Sequence, residues 1–376
     1  MPRGRAKLPD LDCNPSPLQH SIPVQIFVAI AFTSLIIAAL IGNLVVMWII
    51  CSSKVMRKSF NFFLFNIAVA DFLMALMNAG TTWTFNFYYD WWYGDFCPIN
   101  HFFGVVPTCV SIFTMMVVSY DRCVAVVNPL RKRPLSSKRT FLIIIMIWII
   151  ASLIGLPAAI SARVETEYFY SSTLNKIGQR QICHNAFSYK FLYDTFLFTI
   201  QYVIPLFILS FTYGRIVFTF KKDDFYANVQ ATKSHQNIHA KQRVVKMLGL
   251  VVLIFMLAWL PYQLHHLLLE RLNINFEILS YSYMFFYWLA MSACAYNPII
   301  YCYFNVRFRI GFRYAFRWLP CVKYSQQEYE HSELFPEATR LLTSNIKRNL
   351  THNSSLHLSK DSVTVSTRLP KHSLNM

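Results

Sequence analysis

Tyr296-Asn297-Pro298-Ile299-Ile300-Tyr301 closes the last of about seven long apolar runs in a chain of 376 residues. An amide beside a proline at that depth frees backbone hydrogen-bonding groups in hydrocarbon, which is tolerated only against protein or trapped water. By itself the hexapeptide fits an ordinary proline-kinked membrane helix as well as a moving part, so its meaning rests on the runs that precede it.

Hydrophobic residues make up 55% of the chain and charged residues 14%, against about 25% charged in an average soluble domain. The composition is that of a membrane protein. Apolar runs fall near 25–51, 60–85, 97–128, 140–162, 191–220, 244–269 and 279–303, each exceeding the ~20 residues a helix needs to cross a bilayer. The expected fold class is therefore an all-α membrane protein with a bundle of seven transmembrane helices. Its divisions are an outer tail (1–23), the bundle (24–303), a short amphipathic interfacial helix (304–320) and a disordered inner tail (321–376). The first run is longer than a signal-peptide core and lacks a small-residue cleavage site, so it is expected to remain as the first span.

Basic residues set the expected orientation. Lys54, Arg57 and Lys58 follow the first run, and Arg131, Lys132, Arg133, Lys138 and Arg139 follow the third, with no acid in either loop. The loops after the second and sixth runs carry Asp90, Asp95, Glu270, Arg271 and Glu277. This places the amino terminus outside, the carboxyl terminus inside and the chain in the plasma membrane. The net charge of +17 lies largely beside the spans, where anionic lipid and acidic partner surfaces explain it better than nucleic acid.

Of nine cysteines, only Cys13, Cys97 and Cys183 face the oxidising side. A Cys97–Cys183 bridge would pin the long loop 163–190 over the bundle mouth, leaving Cys13 as a free thiol. Within that loop, Val164, Thr166 and Tyr168 alternate with Glu165 and Glu167, as in half of a β-hairpin. Beyond the last span, Phe304, Phe308, Phe312 and Phe316 recur every four residues with Arg307, Arg309, Arg313 and Arg317 between them. That pattern predicts a helix lying on membrane lipid. Cys321 follows it, either as a plain thiol or as a palmitoylation site.

Polar groups inside the spans carry the chemistry. Asp71 in the second run is costly unless paired, hydrated or bound to a cation. Ser111, Asn43 and Asn297 are its candidate oxygen-bearing neighbours, for a sodium ion or for an ion-free hydrogen-bond network. Asp121-Arg122 ends the third run, and an arginine there can pair with its neighbouring carboxylate in one state and be released in another. Trp259-Leu260-Pro261-Tyr262 puts a proline inside the sixth run, which predicts a kink. Gln263 and His266 lie beyond that kink on one helical face.

Asn43, Ala70-Asp71, Cys97, Asp121-Arg122, Trp148, Pro205 with Tyr213, Trp259-Leu260-Pro261 and Asn297-Pro298-Ile299-Ile300-Tyr301 fall one set per helix, in order. In this the chain resembles the rhodopsin-like (class A) G-protein-coupled receptors over about residues 25–320. Trp92-Tyr93-Gly94, His101-Phe102-Phe103, Trp288-Leu289-Ala290-Met291-Ser292 and Arg307-Phe308-Arg309-Ile310-Gly311-Phe312 are similar to the tachykinin (neurokinin) receptors. The resemblance implies peptide contacts at Asn78, Asn100, His101, Gln263, His266 and Tyr283. It also implies activation switches at Asp121, Arg122, Tyr213, Trp259, Pro261, Asn297, Pro298 and Tyr301. Gly104 and Met291 stand where amine receptors and opsins hold an aspartate and a lysine, which disfavours monoamines and retinal.

The chain departs from the family pattern at Cys123, Ala258, Thr82 and Ala158, the last two replacing amides of the vertebrate receptors. The expected function is a non-enzymatic receptor for a short amidated neuropeptide, activating a heterotrimeric G protein of Gq type. Arrestin is expected to follow phosphorylation of Ser362, Thr364, Ser366 and Thr367. The rivals are a receptor for neuropeptide Y-like or RFamide peptides and a seven-helix transporter; the latter's internal repeats are not evident.

Overall fold

The computed structural model describes residues 20–127, 135–171, 176–227, 235–269, 272, 275–331 and 334. Cys13, Arg131, Lys132, Arg133, Glu270, Arg271 and the serines and threonines near 362–367 lie outside the described residues. Seven helices are long and apolar enough to cross a membrane. We label them α1 (Ile22–Ser52), α2 (Ser59–Tyr88), α3 (Cys97–Val127), α4 (Ser137–Ser161), α5 (Lys190–Lys221), α6 (His235–Leu267) and α7 (Phe276–Phe304). The protein is a multi-pass membrane protein. On α1, Ile26, Phe27, Ile30, Ile37, Ile41 and Leu44 are exposed while Asn43 is fully buried, the reverse of a water-soluble helix and the arrangement expected in lipid.

Two spans contain a π turn, Ala75–Ala79 in α2 and Thr199–Val203 in α5. The second has a local cause. Pro205 has no N–H, and its ring crowds the carbonyl four residues back, at Gln201; widening the helix over that turn relieves the clash and rotates Gln201 inward. Pro107, Pro157, Pro261 and Pro298 lie inside α3, α4, α6 and α7.

The loop after α4 is a complete hairpin, β1 (Ala162–Ser171) paired antiparallel with β2 (Lys176–Asn185), so that Val164 faces Cys183 and Glu167 faces Arg180. Cys97 and Cys183 are disulfide-bonded, with Cα atoms 5.7 Å apart.

At the opposite end, Asn305 breaks α7 and starts α8 (Val306–Ala315), its side chain accepting from the Arg307 N–H at 3.0 Å. This helix is shorter than the pattern of phenylalanines predicts, and part of its apolar face meets protein rather than lipid. Phe308 is fully buried with its ring 5.6 Å from Tyr301. Gly311 lies so close to α1 that a Cβ there would meet Ile49 Cδ1 at 2.6 Å. The next segment also departs from the expectation of a disordered tail. A short helix α9 (Gln326–His331) returns to α8, stacking Tyr329 on Tyr314 at 4.4 Å and pairing Glu328 with Arg313 at 3.0 Å. Tyr329 and Leu334 are buried.

Candidate ligand site and conformational switch

A cavity of about 380 Å³ opens at the hairpin end of the bundle. All six residues expected to contact ligand line it: Asn78, Asn100, His101, Gln263, His266 and Tyr283. The π turn in α2 carries Asn78, whose amide Nδ2 is shared among Asn100 Oδ1 at 2.9 Å, the Asn100 carbonyl at 3.0 Å and Thr82 Oγ1 at 3.0 Å. Tyr287 donates its hydroxyl to Asn78 Oδ1 at 2.9 Å, and Thr81 donates to Asn100 Oδ1 at 2.7 Å. One wall is thus a bonded polar network joining α2, α3 and α7. Gln263 Nε2 donates to Gln201 Oε1 at 3.3 Å, joining α6 to the inward residue of the second π turn.

The α6–α7 wall is aromatic: the Tyr262 ring lies 4.7 Å from His266 and 5.9 Å from Tyr283. Trp259, Met74 and Met291 also line the cavity, supplying apolar surface for a side chain. Tyr287, Gln201 and Tyr193 line the cavity without having been singled out from sequence, and Lys190 and Asp194, two outer charges of opposite sign, line it too. A signal existed for two of them: Tyr287 sits one helical turn from Tyr283, and Gln201 is four residues before Pro205. The His101 ring nitrogen lies within 4.8 Å of both Cys97 and Cys183 sulfurs, but those sulfurs are bonded to each other and do not form a metal set.

At mid-depth, buried Asp71 accepts from Ser111 Oγ at 3.2 Å and from Asn297 Nδ2 at 2.7 Å. Each carboxylate oxygen thus accepts one hydrogen bond and keeps a further lone pair, so the geometry is compatible with a cation as well as with an ion-free network. Asn43 does not join this group. Its Nδ2 donates to the Cys294 carbonyl at 2.9 Å and to the Ala39 carbonyl at 2.8 Å. Cys294 is four residues before Pro298, so Asn43 satisfies the carbonyl that the proline leaves without a helical donor. Gly42 permits that approach: a Cβ there would meet Pro298 Cγ at 2.9 Å.

At the α8 end, Arg122 Nη2 pairs with Asp121 Oδ2 at 2.6 Å, and the guanidinium lies 4.7 Å from the Phe60 ring centroid. Residues 235–249 contain no acid, so Arg122 has no carboxylate to pair with on that stretch of α6. Instead Arg243 of α6 donates to the Tyr303 carbonyl at 3.4 Å, an acceptor it shares with Arg309 of α8 at 3.0 Å. Ser119 Oγ donates to the Tyr213 hydroxyl at 3.3 Å, linking α3 to α5. Among the described residues, the Tyr301 hydroxyl, the Trp259 indole N–H and Arg122 Nε are buried with no hydrogen-bond partner. Cys321 is exposed, close to exposed Trp318.

A sequence model of the 7 transmembrane receptor (rhodopsin family) matches residues 42–301. The chain belongs to this family of signalling receptors, which are not enzymes, and within it stands close to the tachykinin receptors. It is 45% identical to the Caenorhabditis elegans protein named Probable G-protein coupled receptor tkr-1, over 92% of this chain and 84% of that protein. It is 33% identical to the Homo sapiens substance-P receptor, over 92% of this chain and 81% of the receptor. Squid rhodopsin shares the fold, with a TM-score of 0.66 at 23% identity, covering 86% of this chain and 97% of that one.

Proposed function

We propose that this chain is a neuropeptide receptor of tachykinin type. A short amidated peptide enters the cavity from outside the cell, and the α8 end then accepts a heterotrimeric G protein of Gq type. The observation that carries the reading is the convergence of Asn78, Asn100, His101, Gln263, His266 and Tyr283 from four spans on one cavity. Amides and hydroxyls with an aromatic wall suit a neutral carboxamide terminus, because each amide group pairs without burying a charge. The names of the substance-P, neuromedin-K and tachykinin-like peptide receptors among the relatives support the same ligand class.

The mechanism follows from the switch region. Peptide shifts a two-state equilibrium toward a form in which α6 turns about Pro261, breaks the Arg243–Tyr303 contact and releases Arg122 from Asp121. Tyr213, Trp259, Asn297, Pro298 and Tyr301 lie along that path. Where sodium binds, Asp71, Ser111 and Asn297 would hold it in the resting form. Palmitoylated Cys321 would anchor the α8 end to lipid, and phosphorylation of the later tail would recruit arrestin.

Cells expressing the chain, challenged with tachykinin-type, neuropeptide Y-like and RFamide peptides, test the reading through calcium and cyclic-nucleotide readouts. A calcium response to tachykinin-type amides is expected. A response confined to another peptide class would replace the ligand, a cyclic-nucleotide response alone would replace the G-protein subtype, and solute uptake by liposomes containing the purified chain would replace the function.

A further inference from the structure

The disulfide fixes the hairpin at one point, and a second attachment lies three residues earlier. Arg180 faces Glu167 across the strands and donates from Nε at 3.1 Å and Nη2 at 2.8 Å to one carboxylate oxygen. Its guanidinium lies 4.4 Å from the Tyr89 ring centroid and 5.6 Å from that of Phe169. The side chain is 6% exposed. A buried guanidinium is stable when its edge is hydrogen-bonded and its faces are covered by aromatic rings, as here.

Tyr89 is itself unusual. It ends α2 at φ 55°, the left-handed region, where no other non-glycine residue lies among the described residues. Side chains other than glycine are strained in that conformation, so contacts must hold it. Beyond Arg180, its ring meets Phe85 at 6.1 Å and Phe276 at the start of α7 at 5.6 Å. Burial pushes the phenol pKa upward, so the ring stays neutral. The next two residues extend the attachment: Asp90 Oδ1 accepts from the Gln181 N–H at 2.9 Å, and the Trp91 N–H donates to the Gln181 carbonyl at 2.8 Å.

We propose that Arg180 and Tyr89 form a clasp holding the hairpin at a fixed height over the cavity, making Arg180 a positioning residue that governs how long a bound peptide is retained. Neither residue lines the cavity, whereas Cys183, His184 and Asn185 on the same strand as Arg180 do. The clasp therefore acts through those three. A hairpin held at two points has its ordering cost met during folding rather than at binding, which lengthens residence more than it speeds arrival. The retention half of the proposal rests on the peptide-receptor reading; the clasp does not.

The test uses the full chain in lipid nanodiscs with the Cys97–Cys183 bridge verified by mass mapping. It compares Arg180→Ala, Arg180→Lys, Tyr89→Phe and Tyr89→Gly. Without ligand, amide exchange of residues 162–185 should accelerate about tenfold in Arg180→Ala and less in Arg180→Lys, which keeps the charge but loses the planar face. Tyr89→Phe should match the parent. Tyr89→Gly relieves the backbone but removes the ring, and should resemble Arg180→Ala. Dissociation of a labelled amidated tachykinin-type peptide should speed up about tenfold in Arg180→Ala, with association changed less than about threefold. Unchanged hairpin exchange in both Arg180 variants overturns the clasp. Faster exchange with unchanged dissociation overturns the positioning role. A parent chain that binds no amidated peptide overturns the receptor reading instead, and the exchange measurement still decides the clasp.

Discussion

The two ends of the bundle treat their polar groups differently. Around the hairpin-end cavity, Asn78, Asn100, Thr82 and Tyr287 already bond one another across three helices. Toward the α8 end, among the described residues, the Tyr301 hydroxyl and Arg122 Nε are buried without a protein partner, and Arg243 of α6 reaches the Tyr303 carbonyl only at 3.4 Å. A prebonded wall suits recognition, because little has to be ordered when ligand arrives. Unmatched groups suit transmission, because a second arrangement can be reached at small cost.

The contrast breaks first at the disulfide. Cys97→Ala should free the hairpin and abolish surface peptide binding, since the bridge to Cys183 fixes the long loop over the mouth; surface binding isotherms measure it, and near-parent affinity would show that the clasp alone suffices. Arg122→Ala should separate the ends most sharply. Peptide affinity should stay within about threefold of the parent while peptide-driven nucleotide exchange is lost. If exchange persists, the transmitting end has been misplaced.

A smaller effect tests the polar wall. The free-acid form of an active peptide should be about 10- to 100-fold weaker than its amide, because a carboxylate facing Asn78 and Gln263 is buried without a fixed positive partner. Equal potency in a dose series would mean that this end of the peptide stays in water. Smaller again, Asp71→Asn should remove a sodium dependence of a few fold in agonist affinity, measured by competition in sodium and in a large organic cation. Sodium sensitivity equal to the parent's would favour the ion-free network. The smallest effect concerns charge. Of the outer acids that could steer a cationic peptide, Glu167 is compensated by Arg180, while Asp90, bonded to a neutral N–H, keeps its charge. Arginine in place of methionine at the last peptide position should gain no more than about threefold, and only at low salt; a methionine preference would remove the charge argument.

The seven spans were legible because each is a long apolar run, and that signal survives any local irregularity. The cavity residues were legible only through resemblance. What brings Asn78 and Gln201 inward is a single extra residue in a helical turn, and no residue type marks such a turn except indirectly through Pro205. Asn43 was assigned to Asp71 because both are buried polar groups in neighbouring spans; sequence does not reveal that the carbonyl orphaned by Pro298 competes for the same amide. The α9 segment escaped notice because six residues with a single aromatic, Tyr329, have no periodic apolar stripe, and its docking depends on Tyr314, at the far end of α8. The burial of Arg180 is not legible in the sequence, because its ring partners, Tyr89 and Phe169, stand on different elements.

The Asn43–Cys294 bond has a consequence for how the chain is assembled. It joins the first span made to the last, alongside the Gly42–Pro298 approach and a hydrogen bond from Trp288 to the Ala31 carbonyl at 3.2 Å. Until α1 and α7 meet, that carbonyl lacks this donor, so packing of the last span on the first closes the ring of helices. A chain split between α1 and α2 should therefore mature only when both fragments are made in the same cell.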